Sequence, residues 1–234
     1  NPVLLDVLPT YYKADQILRR MGLIDAQTSL ANRISWWPLI AVLGTFSSGK
    51  STFINSFVGE KVQDTGNQAV DDKFTVICHR SADHSGNRTL PGTALDADPR
   101  FPFFRISSEI EKVAQGEGKH IESYLQLRTT QTPAIENKII IDSPGFDADD
   151  QRRSTLRITD HIIDLSDLVL VLFDARHPEP GAMQDTLDHL VSRTAVRTDA
   201  SKFLSVLNQI DTAAAEDNPE DITGAWQRAL AAAG

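Results

Sequence analysis

One stretch constrains this chain more than any other: the apolar run Leu39-Ile40-Ala41-Val42-Leu43, followed by Gly44-Thr45-Phe46-Ser47-Ser48-Gly49-Lys50-Ser51-Thr52. The run reads as a buried strand, the glycine-bounded turn as a wrap around an anion, and Thr52 to Val58 as a helix. Gly44, Gly49, Lys50 and Ser51 fall on the G-x-x-x-x-G-K-[ST] spacing, in which each residue type has a physical task. Glycines let backbone N–H groups close on a phosphate with no Cβ in the way. The helix adds its free N–H groups and the positive end of its dipole. Residues Thr45 to Thr52 would line the phosphates, with Lys50 reaching the β and γ groups and the Ser51 hydroxyl ligating Mg²⁺. The plain alternative is a Gly/Ser turn between a strand and a helix; the flanking periodicity favours the phosphate loop.

Downstream, apolar runs recur at strand length. They are Phe74 to His79, Lys138 to Asp142, Asp167 to Asp174 and Phe203 to Leu207. Helical patterns are expected over 152–165, 182–193 and from about Asp221 to Ala233. Strands alternating with helices predict an α/β fold: a P-loop, doubly wound, mostly parallel sheet flanked by helices, with ligands at the strand C-terminal ends. The near-continuous apolar run at Leu168 to Phe173 suggests a central strand buried on both faces. Residues 80–106 are rich in turn chemistry and read as a long segment without regular structure, and Ser108 to Leu127 reads as a helix capped by Ser108. Gly59 to Lys73 is polar and reads as a long mobile loop.

Two domains are expected: an N-terminal helical segment over 1–35, in the form of a hairpin punctuated by Pro9 and Gly22, and a nucleotide domain over 36–234. Trp36 and Trp37 would lie over the domain edge. A chain beginning at Asn1 rather than Met is expected to be a processed or excised piece.

Three strands end in residues suited to one ligand. The first ends in the Gly44–Ser51 loop. The second ends in Asp142-Ser143-Pro144-Gly145, where a carboxylate holds Mg²⁺ through water and the Gly145 N–H meets a γ-phosphate. The third ends in Asn208-Gln209-Ile210-Asp211, where the Asp211 carboxylate accepts the N1–H and N2–H of guanine while Asn208 ties neighbouring loops together. Either of the later motifs alone is weak; in this order, each behind a strand, they reinforce one another.

The residues Gly44 to Asn55, with Asp142-Ser143-Pro144-Gly145, resemble the dynamin superfamily. The narrower likeness is to EHD-type members and bacterial dynamin-like proteins, and it rests on Asp72-Lys73-Phe74, Pro91 to Leu95 and Leu170 to Ala175. The resemblance implies a Mg²⁺-dependent GTPase that self-associates through its nucleotide face and remodels membranes through a helical stalk. That stalk and the last strand of the nucleotide domain are expected to lie beyond this chain. The full-length protein is expected to be cytoplasmic and peripheral to a membrane. Three departures matter. The loop threonine of relatives falls on Val70 or Asp71, of which only Asp71 can ligate a metal. Phe46 occupies the place of the catalytic glutamine of the larger dynamins. Gln209 replaces the lysine that packs on the base. Slow or partner-dependent hydrolysis is therefore expected, and EHD-type relatives, which use adenine despite a similar motif, keep ATP open beside GTP. A nucleotide-binding switch or scaffold with negligible turnover is the remaining alternative.

Other features suggest bland roles. A net charge of −9 argues against a broad nucleic-acid-binding face. Cys78, the single cysteine, lies within an apolar run and reads as a buried thiol. His79, Asp83 and His84 lack zinc-site spacing, and Asp147, Asp149 and Asp150 read as a solvated switch loop. Arg152 and Arg153 are surface charge, with a reach across a dimer as the sharper option. No stretch has the length of a membrane span, and no secretory leader pattern stands at Asn1.

Overall fold

Alternation along the apolar runs sets two faces of one sheet. Leu39, Ala41 and Leu43 join one buried cluster and Val42 joins the other, as the period of two requires. A computed structural model describes residues 2–33, 37–45, 47–65, 73–80, 88–98, 101–113, 115–145, 153–176, 200–213 and 218–233. Their elements run α1 (Pro2–Arg20), β1 (Leu39–Gly44), α2 (Lys50–Val58), β2 (Phe74–His79), β3 (Arg88–Pro91), α3 (Thr93–Ala97), α4 (Ile106–Val113), β4 (Leu125–Thr130), β5 (Ile139–Asp142), α5 (Arg153–Leu165), β6 (Leu168–Asp174) and β7 (Phe203–Asn208). A short helix, Ile210–Ala213, and a terminal one, Pro219–Ala233, close the order.

The seven strands are ordered β3-β4-β2-β5-β1-β6-β7. β1 pairs in parallel with β5 and β6, and β6 with β7, so Gly44, Asp142 and Asn208 finish at the same rim. β2 is antiparallel to β5, with Thr75 opposite Asp142, and it runs parallel to β4. This is the mostly parallel, helix-flanked sheet of a P-loop domain. One face packs on α4, α5 and Trp226 of the terminal helix; the other packs on Ile54 and Val58 of α2.

Four expectations change. The helix over 108–127 is instead α4, a 3₁₀ segment over Glu117–Ser123 and strand β4. Glu111 accounts for the break: its carboxylate accepts the N–H groups of Gly116 at 2.9 Å and Gly118 at 3.1 Å, which starts a new turn on a new axis. The supposedly irregular 80–106 segment contains β3 and α3. β6 lies second from the edge, between β1 and β7, yet is largely buried because helices cover both its faces. Finally, α1 is one 19-residue helix that runs through Pro9, and a 3₁₀ turn at Leu30–Arg33 follows it. That turn is held by Asp15, 1% exposed, which accepts the Ser29 hydroxyl at 2.5 Å and the Leu30 N–H at 2.8 Å. The expected helix over 182–193 lies outside the described residues.

Candidate functional site

The Gly44–Ser51 turn is pressed between neighbouring strand ends. A Cβ on Gly44 would lie 2.5 Å from the Leu172 carbonyl oxygen of β6, so no larger residue fits. Gly49 has φ +85°, in the left-handed region, and a Cβ there would lie 2.4 Å from Asn208 Nδ2. Ser48, fully buried, donates its hydroxyl to the Thr45 carbonyl at 2.8 Å and tightens the turn. α2 starts at Lys50 with no side-chain cap at Gly49, so its first N–H groups are left to face the turn. Lys50 is buried and donates from Nζ to the Gly44 and Thr45 carbonyls at 3.0 and 2.9 Å, which holds the cation inside the loop.

The second strand end sits against the first. Asp142 is 3% exposed, and its Oδ2 accepts the Ser51 hydroxyl at 3.2 Å and the Gln63 amide Nε2 at 2.6 Å. Ser143 donates its N–H to the Val42 carbonyl at 3.1 Å, which carries the chain past β1 toward Pro144 and Gly145.

The third strand end closes over the loop from the other side. Asn208 Nδ2 donates to the Ser48 carbonyl and Gln209 Nε2 to the Ser47 carbonyl, each at 2.8 Å. Gln209 reaches there from φ 61°, and Asp211 stands exposed in the first turn of the next helix. Arg176 adds a further donor, with NH2 3.4 Å from the Ser47 carbonyl and 2.6 Å from Asp174 Oδ2. Its hydrogen bond to Asp174 raises the guanidinium pKa further, so the charge is permanent.

The expected residues thus divide. Thr45, Ser47, Ser48, Gly49, Lys50, Ser51 and Thr52 share one turn with Asp142, Asn208 and Gln209 around it, while Gly145 follows three residues after Asp142. Phe46 and Asp71 lie outside the described residues, as do Trp36, Val70, Asp83, His84, Asp147, Asp149, Asp150 and Arg152. His79 closes β2, whose reversed direction carries it to the sheet end opposite Gly44. Sequence reasoning missed Gln63, Arg128 and Arg176, and gave Asn55 no role beyond its place in the Gly44 to Asn55 likeness. Of the three missed, only Arg176, two residues past a strand-ending acid, carried a sequence signal.

The donor set suits Mg²⁺ and triphosphate. A hydroxyl and a carboxylate, both hard oxygen donors, stand side by side, and Mg²⁺ takes one or two such groups with phosphate oxygens and water completing its shell. Among the described residues no group of three or more His, Cys, Asp or Glu could hold a metal unaided. The glycine cradle and the helix N-terminus suit an anion.

Residues 40–210 match the sequence profile of the dynamin family. The chain belongs to that family. It is 23% identical over 181 residues to EH domain-containing protein 2 of Arabidopsis thaliana, covering 74% of this chain and 30% of that protein. It also superposes on two chains from an oligomerised bacterial dynamin pair described as providing a mechanism for long-range sensing and tethering of membranes. Their TM-scores are 0.56 and 0.57 at 17% and 16% identity, covering 98% of this chain and 34% of each of theirs. The chain therefore spans about a third of the length of these relatives. Among the described residues no helix is long and apolar enough to cross a membrane.

Proposed function

We propose that this dynamin-family domain binds Mg²⁺-GTP and hydrolyses it slowly, with turnover raised by self-association through the nucleotide face. In this reading it is the motor part of a cytoplasmic protein that remodels membranes through regions outside this chain. The observation that carries the proposal is the convergence of three strand ends on one glycine-bounded loop, through the Ser51–Asp142, Asn208–Ser48 and Gln209–Ser47 hydrogen bonds. In this reading Lys50 leaves the Gly44 and Thr45 carbonyls for the β and γ oxygens, and the loop N–H groups and helix dipole spread the remaining charge. Ser51 and Asp142 hold the metal, directly and through water; Asp71 is a further candidate. Gly145 donates its N–H to the γ-phosphate, and Asp211 reads the base. A bound Mg²⁺, held by Ser51 and Asp142, would supply neutralisation of phosphate charge. The protein's own contribution is positioning and electrostatic stabilisation of charge on the departing phosphate.

Adenine is the second reading. The Gln209 amide is held on the Ser47 carbonyl, so the packing that a lysine stem gives a purine is absent from this position and the choice of base falls to Asp211. Competition of GTP, ATP, GDP and ADP against a fluorescent nucleotide, with Asp211→Asn alongside, separates the two. Guanine preference that disappears in the variant supports GTP; a preference for adenine overturns it. Single-turnover phosphate release across a range of protein concentrations tests the enzyme itself: a rate rising with concentration supports dimer-stimulated hydrolysis, and no release leaves a nucleotide-binding switch.

A further inference from the structure

Behind Asp142 lies a buried amide that the phosphate loop does not account for. Gln63 is 1% exposed, and its Nε2 donates to Asp142 Oδ2 at 2.6 Å. Its Oε1 is also buried and has no hydrogen-bond partner. The opposite amide orientation would set Oε1 against a carboxylate oxygen, so chemistry fixes the assignment. A buried amide oxygen without a donor is rare and calls for an explanation.

The segment that carries Gln63 is clamped on several sides. Asn55 Oδ1, from α2, accepts the N–H groups of Val62 at 2.9 Å and Gln63 at 2.8 Å, while Asn55 Nδ2 donates to the Gln63 carbonyl at 2.8 Å. Arg128, from β4, donates to the Val62 carbonyl at 2.6 Å. Two elements, α2 and β4, therefore fix the backbone from which the side chain reaches Asp142. An amide built in this way, with one end on a metal-site carboxylate and an unpaired acceptor at the other, is equipped to take a hydrogen bond from a water in the metal's shell.

We propose that Gln63 is a positioning residue of the Mg²⁺ subsite: Nε2 orients the Asp142 carboxylate and Oε1 accepts a hydrogen bond from a metal-bound water. The inference rests on the Mg²⁺-nucleotide reading. Asp142 Oδ2 then holds two donors, the Ser51 O–H and the Gln63 N–H, which leaves a Ser51 oxygen lone pair for the metal. Outer partners of this kind orient the groups that hold a metal, and their loss typically lowers metal affinity about 10–100-fold.

The test titrates Mg²⁺ into protein carrying fluorescent GDP or ADP, whichever binds tighter, starting from EDTA, for wild type, Gln63→Met and Gln63→Glu. Circular dichroism and the thermal midpoint report the fold of each. Gln63→Met keeps length and loses both polar atoms; its Mg²⁺ midpoint is expected to rise about tenfold or more. Gln63→Glu loses the Nε2 donor and sets a second carboxylate oxygen against Asp142, so its Mg²⁺ midpoint is expected to rise as well. A merely structural amide predicts a lower thermal midpoint in Gln63→Met with the Mg²⁺ midpoint unchanged. Superimposable Mg²⁺ curves for wild type and Gln63→Met, or wild-type Mg²⁺ affinity in Gln63→Glu, would overturn the proposal. Failure of the wild type to bind either nucleotide, with or without Mg²⁺, would refute the nucleotide reading and this inference with it.

Discussion

Replacing Gly49 with alanine tests how tightly the phosphate loop is wedged against the third strand end. Gly49 has φ 85° and ψ 18°, and an added Cβ would lie 2.4 Å from Asn208 Nδ2, the atom that donates to the Ser48 carbonyl at 2.8 Å. An L-residue in the left-handed region costs about 1–2 kcal/mol. Swinging the Asn208 amide aside forfeits a hydrogen bond worth about 1 kcal/mol. Gly49→Ala should therefore lose about 2–3 kcal/mol in urea unfolding and lower the melting temperature by roughly 5–10 °C for a domain of this size. Asn208→Ala alone should lose about 1 kcal/mol. In the double variant the Cβ has room and the hydrogen bond is already absent, so the combined cost should fall below the sum by about 1 kcal/mol. A Gly49→Ala protein within about 0.5 kcal/mol of wild type, or costs that simply add, would show that the loop is not wedged as described.

Three further outcomes are expected. Asp15→Ala strands the Ser29 hydroxyl and the Leu30 N–H, so it should cost about 1–3 kcal/mol and speed hydrogen exchange most in α1. His161 lines a cavity of about 180 Å³ between α4 and α5, where burial lowers its pKa below 6.5 while Asp164 and Glu109 oppose the shift. The unfolded chain takes up that proton first, so this contribution to stability is intact above about pH 6.5 and is lost as the pH falls toward the lowered native value. His161→Leu should accordingly lose less stability than wild type on acidification from pH 7, measured by urea unfolding at each pH. Cys78 is buried, its thiol pushed up to about 12 by desolvation, so an aromatic disulfide reagent at pH 8 should label it only after denaturation.

The elements legible in the sequence are those with an apolar run of strand length or an amphipathic helical period: β1, β2, β5, β6, β7, α2, α5 and the terminal helix. β3 escaped because all four of its residues, Arg88 to Pro91, are exposed, so no alternation marks it. β4 escaped because Leu125 also continues the helical spacing of Ile110 and Ile121, and only pairing with β2 decides between the two. The site divides the same way. The phosphate loop, Asp142 and Asn208 follow local motifs whose spacing is dictated by backbone geometry. Gln63 has no such signal: it acquires its position from Asn55 on α2 and Arg128 on β4, a juxtaposition that exists only after the sheet forms.

The strand that carries the phosphate loop waits longest for its first partner during synthesis. Its partners are β5 and β6, and its register sets Leu39 opposite Ile139 and Ile40 opposite Leu168. A ribosome adding about 5–20 residues per second emits β5 roughly 5–20 s after β1. Throughout that interval an apolar segment that ends fully enclosed has no edge to join, whereas β2 waits only for β4. The nascent chain is therefore most exposed to aggregation, and most in need of a chaperone, at the element on which its nucleotide chemistry is built.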